Sequence, residues 1–412
     1  MVRKVSASAL PTVLVVSVLL LVILLMAFEL WNVDTFYYIR YHAQKQQRLH
    51  LSSALTLYCN DSLAAEHLAA GIPHPLYADD GRSAVTLRSY PWGLYECVVV
   101  ANVDSTAVAA HLLGKACDIP QRPALWVCDR EHSLSLAGEA TVEGEAYLPK
   151  SGLNYATFHQ TAYSGPPLST TQIHTSNKAL PPIDSTEVQR MDALLSTAPS
   201  RSFDEGVPPR YHSFRREELR FVLPSAPDEA MYAKGRIILY ADKITIPRTW
   251  QLSDVLLVAR HVTIASGFSG SLQVVATDTV VVEQGAQMRF PSGVYLHGNQ
   301  GKSYLHLCAD TRLEGYAVVL GDVESSNGFV TDIHYRQDTG SSLAGLLYVD
   351  GTAHVEGHVD GAAYLKECYY LTGEEMYAGL FFNARFSRND KEAFPFLFGG
   401  SGYERKIAKS VE

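Results

Sequence analysis

Three stretches of the chain repeat one pattern, and that repeat limits the folds open to it more than any other feature. IILYADKITI (residues 237–246), VLLVARHVTI (255–264) and LQVVATDTVV (272–281) align on Ala241, Ala259 and Ala276, spaced by 18 and then 17 residues. Each stretch is rich in β-branched side chains and breaks for two polar residues after its alanine. A period near 20 with no helical pattern between the repeats marks a β-solenoid, in which each coil buries its apolar face against the next. Runs at residues 304–309, 316–320 and 346–349 carry the pattern on. Residues 231–375 are therefore expected to form the solenoid proper, and the chain is expected to be mainly β.

A second repeat links distant segments. VEGEAYL (residues 142–148) and VDGAAYL (359–365) are identical at five of seven places. This predicts that residues 132–150 form a first coil, and that 151–230 are inserted between coils. Pro166, Pro167, Pro181, Pro182, Pro208 and Pro209 lie in that insertion among Ser, Thr and Gly, which reads as a long surface segment. Coils of this composition around an apolar axis resemble the polymer-forming bactofilin type of domain. The resemblance implies end-to-end or lateral self-association and a scaffolding role. Solenoid ends are unpaired strand edges that must be capped or else polymerise. Residues 376–412, with Phe381, Phe382, Phe386, Phe394, Phe396 and Phe398, are the expected cap.

The N-terminal region sets location. Residues 12–28 read TVLVVSVLLLVILLMAF, and with Leu10, Pro11, Leu30 and Trp31 they reach the ~20 residues needed to cross a bilayer. Arg3 and Lys4 precede the run while Glu29 and Asp34 follow it, so the positive-inside rule places residues 1–9 in the cytoplasm and the bulk outside. A transmembrane helix is expected over residues 10–31. The competing reading, a cleaved secretory signal, would need a shorter apolar core and a small-residue cleavage site. Beyond the membrane, Leu51, Ala54, Leu55 and Tyr58 follow the i, i+3, i+4, i+7 spacing of one helical stripe. That predicts a helical stem over residues 32–72, with its last turns packed on a domain.

The basic leader, the Ala7-Ser8-Ala9-Leu10 start, the apolar helix and its amphipathic continuation resemble the N-terminal stem of type IV pilin-like and minor pseudopilin proteins. The resemblance implies processing between Lys4 and Ala9 and assembly with other pilin-like subunits. The family usually has a Gly at the processing site and a Glu shortly after it, and this chain has neither.

Residues 73–131 read as a small α/β head. Its strands are expected at residues 84–87, 96–101 and 124–128, with a helix over 107–113 capped by Asp104-Ser105-Thr106 and closed by Gly114. Six cysteines, at 59, 97, 117, 128, 308 and 368, lie on the outer side, where disulfides are permitted. A pair among Cys97, Cys117 and Cys128 is one reading, and simple buried thiols are the other. His354, Glu356, His358 and Asp360 alternate, so in an unbroken strand all four would share a face and could hold zinc or a similar ion. Gly357 and Gly361 favour turns instead, and a solvated outer face is the competing reading.

Acids Asp322, Glu324 and Asp332 are the nearest candidates for the paired carboxylates of a polysaccharide-cutting β-helix. They sit in Ser/Asn/Gly-rich sequence, where acids commonly just form turns. The chain carries neither a nucleophile elbow nor a Walker loop, and no cofactor is expected. With 34 Lys+Arg against 43 Asp+Glu it is acidic, which excludes a basic nucleic-acid footprint. The reading that follows is a non-catalytic, membrane-anchored structural subunit of an envelope or pilus-like assembly, its bulk periplasmic. The alternative is a membrane-tethered β-helix that binds or cleaves envelope polysaccharide.

Overall fold

A computed structural model of the protein describes residues 9–60, 71–77, 83–116, 122–196, 204–205, 210–224, 230–298, 303–321, 333–373, 375–388, 395, 397–398 and 404–411. Among these the chain is mainly β, with one long helix at its N-terminal end. The expected leader residues 1–8, Cys117, Asp322, Glu324, Asp332, Phe394 and Phe396 lie outside the described residues.

The helix runs from Ala9 to Asn60 without a break, 52 residues that span about 78 Å at 1.5 Å per residue. Its apolar run stands clear of the rest of the chain, with Leu10 82% exposed and Trp31 74%. Only the last turns dock. Leu51, Ala54, Leu55 and Tyr58 are buried, and they pack on Val85, Leu87, Val98, Val100 and Leu113. The stripe read from sequence is the docked face, and each large side chain in it contributes about 1.5–3 kcal/mol of burial.

The surface that receives it is a five-stranded antiparallel sheet, not an α/β unit. Ala84–Trp92 pairs with Tyr95–Asn102, which pairs with Val108–Ala116. The residues expected to form a helix thus form a strand. Asp104 and Ser105 sit in the hairpin turn, Ser105 at φ 52°, and the Asn102 side chain bonds Thr106 and the Ala107 N–H across it. The sheet is covered on both faces. Leu113 faces the helix stem while Ala110 and Leu112 face the main body. A strand buried on both sides loses its alternation and cannot be told from a helix by periodicity. The fifth strand, Glu404–Ser410, comes from the far end of the chain and pairs with Val108–Ala116.

The main body is a set of parallel strands stacked in register, linked into one sheet that closes on itself. Ile238 pairs with Leu256, Leu256 with Gln273, Gln273 with Gly293 and Gly293 with Tyr316. Further along, Tyr316 pairs with Leu346 and Leu346 with Ala362. The aligned alanines occupy equivalent rungs, since Ala259 pairs directly with Ala276. Alternate residues fill the interior, among them Leu257, Val274, Val294, Ala317, Leu347 and Ala363. Their neighbours Leu256, Val275, Tyr295, Tyr316, Leu346 and Ala362 face outward and are covered by the head sheet and by the helix Ser185–Ser196. One corner is built on glycine. Gly315, Gly345 and Gly361 share a rung at φ between 133° and 157°, and a Cβ on Gly345 would stand 1.9 Å from the Gly315 carbonyl oxygen.

The order of the stack departs from the order of the chain. Leu125–Val127, expected in the head, pairs with residues 363–365 of the body. On its other side Leu125 pairs with Ala146 and Trp126 with Tyr147. Val359 pairs with Phe386, which pairs in turn with Val142. The two copies of the seven-residue repeat therefore stand at equivalent places, two layers apart. The layer between them is made of residues 125–127 and 385–387. Ile173–Thr175 adds a strand beyond Ala146–Leu148, so the segment from 125 to 175 lies at the end of the stack beyond residues 358–365. Residues 151–230 are not a plain surface insertion. They include that added strand, the helix Ser185–Ser196 whose Met191 is fully buried, and Leu219–Val222, which pairs with the first core strand.

Candidate functional site

The four residues that alternate at 354–360 are split by a corner. Ser342–Val355 ends before Glu356, and the next strand begins at His358. His354 is 1% exposed. Its Nδ1 accepts the Leu371 N–H at 3.2 Å, which leaves the other ring nitrogen to donate toward Glu356, 3.3 Å away. Thr339 donates a second hydrogen bond to the Glu356 carboxylate at 2.8 Å. The His354 bond, aided by Thr339 against the cost of burial, holds the Glu356 carboxyl down to about 2. His358 and Asp360 look elsewhere. Both meet the Ser387 hydroxyl, each at 2.8 Å, from the neighbouring strand. The structure thus joins His354 to Glu356 directly and His358 to Asp360 only through Ser387, and does not set all four on one face.

His354 belongs to a different row. His306 pairs with Arg336, and Arg336 with His354, on three successive parallel strands. One step past the strand ends the ladder continues, because the Cys308, Asp338 and Glu356 N–H groups bond to Val282, Leu307 and Gln337 carbonyls. His306, Cys308, Arg336, Asp338, His354 and Glu356 therefore form a polar strip two residues wide. Within it, His306 Nε2 lies 2.8 Å from Asp338 Oδ2, and Arg336 Nε donates to Asp338 Oδ1, also at 2.8 Å. Cys308 Sγ is 3.7 Å from His306 Nδ1. Burial pushes the Cys308 thiol up, and the carboxylates of Asp338 and Glu283 add to it while Arg336 opposes them.

Sequence reasoning did not assemble this strip. Its signal is His-x-Cys at 306–308 with Arg-x-Asp at 336–338, each at a strand end. The offset between those strands is 30 residues, against 18 from Arg336 to His354. No single period aligns them.

Of the disulfide candidates, Cys128 is a buried free thiol, so it is not joined to Cys97. Cys97 lies on Tyr95–Asn102, buried at the interface of head and body. A polar cavity of about 340 Å³ opens nearby, lined by Tyr90, Tyr95, Glu96, Glu187, Arg190 and Arg405. It holds as many acids as bases, and Arg405 ties Glu96 beneath the stem at 3.2 Å.

Comparison of the chain with models of known families, with curated proteins and with solved structures finds no match.

Proposed function

We propose that the protein is a membrane-anchored, extracytoplasmic structural subunit of a cell-envelope or pilus-like assembly, with no reaction of its own and with its parallel stack wound as a β-solenoid. One observation carries this reading. The helix exposes apolar side chains on every side from Leu10 to Leu30, yet buries a single stripe over its last turns. A side exposed all round suits a hydrocarbon core, and a single buried stripe suits a folded domain. The stem between them carries Phe36, Tyr37, Tyr38, Ile39 and Tyr41, all exposed, as a surface for the helices of other subunits. Adjacent coils in register support the solenoid, and its rigid flank supplies the scaffold surface.

The test is intact mass and N-terminal sequencing of protein recovered from its native membrane. A start between Val5 and Leu10 supports a pilin-like subunit. An intact Met1 leaves an anchored scaffold without that processing. A start beyond Ala27 means a secreted protein and overturns the anchor.

A further inference from the structure

We propose that His306 and Cys308, with Asp338 behind the imidazole, form a binding site for one thiophilic divalent cation of the zinc class on the outer edge of the stack. One donor atom from each of the three lies within 4.8 Å of the others. Among the described residues this is the group of histidine, cysteine and carboxylate donors so gathered.

The geometry suits an ion between sulfur and nitrogen. Zinc bonds of about 2.3 Å to sulfur and about 2.0–2.1 Å to nitrogen, at a tetrahedral angle, set those atoms roughly 3.6 Å apart. Cys308 Sγ and His306 Nδ1 stand 3.7 Å apart. With the Asp338 carboxylate taking the Nε2–H on the far side of the ring, Nδ1 keeps its lone pair on the side of the sulfur. Proteins commonly orient metal-binding imidazoles by such a carboxylate. Arg336 holds the remaining carboxylate oxygen at 2.8 Å and keeps it from swinging away.

Position and charge point the same way. The residues sit at the ends of paired parallel strands, Tyr304–Leu307 and Tyr335–Gln337, so their spacing is set by the ladder. Glu283 lies on the coil before Cys308, one step past the Val282–Leu307 rung, and Asp338 on the coil after it. A thiol poised for nucleophilic attack needs electropositive surroundings. Here carboxylates flank it on both sides, which favours a cation over a free thiolate. Cys308 is partly exposed, and so leaves the outer coordination positions to water or to a donor from a partner.

The test uses the full chain in detergent, stripped of metal and titrated with cobalt(II), then zinc. The expected result is one cobalt per chain, with a thiolate-to-cobalt charge-transfer band that zinc displaces. Cys308→Ser and His306→Ala should each abolish the band, and Asp338→Asn should weaken binding about 10–100-fold. Cys59→Ser should leave the band unchanged. A second measurement needs no variant: stoichiometric zinc should protect Cys308 of the unmutated chain from alkylation by iodoacetamide. No band in the unmutated chain, a band that survives Cys308→Ser, or alkylation unaffected by zinc would each overturn the site.

Discussion

The head and the stack are both β, but they recruit their strands by opposite routes. In the head, four strands pair antiparallel in chain order and a fifth arrives from the opposite end of the chain. In the stack, the core strands pair in parallel with strands a layer away, and the layers at one end are shared between residues 125–148 and residues 358–387. The head is thin and depends on what covers it; the stack carries its own interior. Both ends of the chain are nonetheless tied into one body. The covered face of the stack supports the head, and the head supports the stem.

That contrast can be broken with matched substitutions. Val274 is fully buried inside the stack and Val98 fully buried between head and stem. Val274→Asp puts an unpaired charge in the long core and should cost more than about 4 kcal/mol, with loss of the whole body in a urea titration. Val98→Asp should release the stem and open the head to protease while the stack keeps its resistance. Equal loss of both regions in both variants would show a single cooperative unit.

The joint between the regions is next in size. Asp254 is a buried residue at φ 61°. Its carboxylate receives Lys409 Nζ at 2.6 Å and the Ser271 hydroxyl at 3.1 Å, and its carbonyl accepts Trp92 Nε1 at 3.1 Å. Asp254→Asn preserves the turn but removes the charge. A loss of about 2–3 kcal/mol is expected, read as earlier proteolysis of the C-terminal strand.

A smaller effect belongs to acid. Because the folded Glu356 carboxyl is held at about 2, below its unfolded value, it adds stability above roughly pH 4.3 that is lost as pH falls through about 2. Glu356→Gln should therefore narrow the stability gap to the unmutated chain between pH 4 and pH 2, as followed by urea midpoints. Smallest of all is Arg260, 60% exposed and 3.3 Å from Asp278. Arg260→Ala should change stability by less than about 1 kcal/mol, since exposed ion pairs are weak.

Much of the stack was legible because its signal is translational. The alanines recur at nearly constant spacing, and the ladder places Ala259 beside Ala276. The repeat at 142–148 and 359–365 was legible for the same reason, with Gly144 and Gly361 both at positive φ. Failures came where burial on two faces erased the pattern. Residues 107–113 look helical because the stem covers one side and the body the other. At 354–360 the alternation by itself suggested one face, and Gly357, read from sequence as a turn signal, marks the corner that splits it.

From the sequence alone came the features that a chain carries locally: an all-round apolar run, a helical stripe at Leu51 to Tyr58, and β-branched repeats of nearly constant length. Each depends on residues within a few turns or one coil of each other, so composition and spacing suffice. Only the tertiary structure decided which layers are neighbours. The joining of residues 125–127 to 363–365, the closure of the head by Glu404–Ser410, and the meeting of Cys308 with Asp338 all depend on register between distant segments. Register is set by side chains filling a shared interior. The hydrogen-bonding groups of the backbone are the same at every rung, so the local sequence does not specify it.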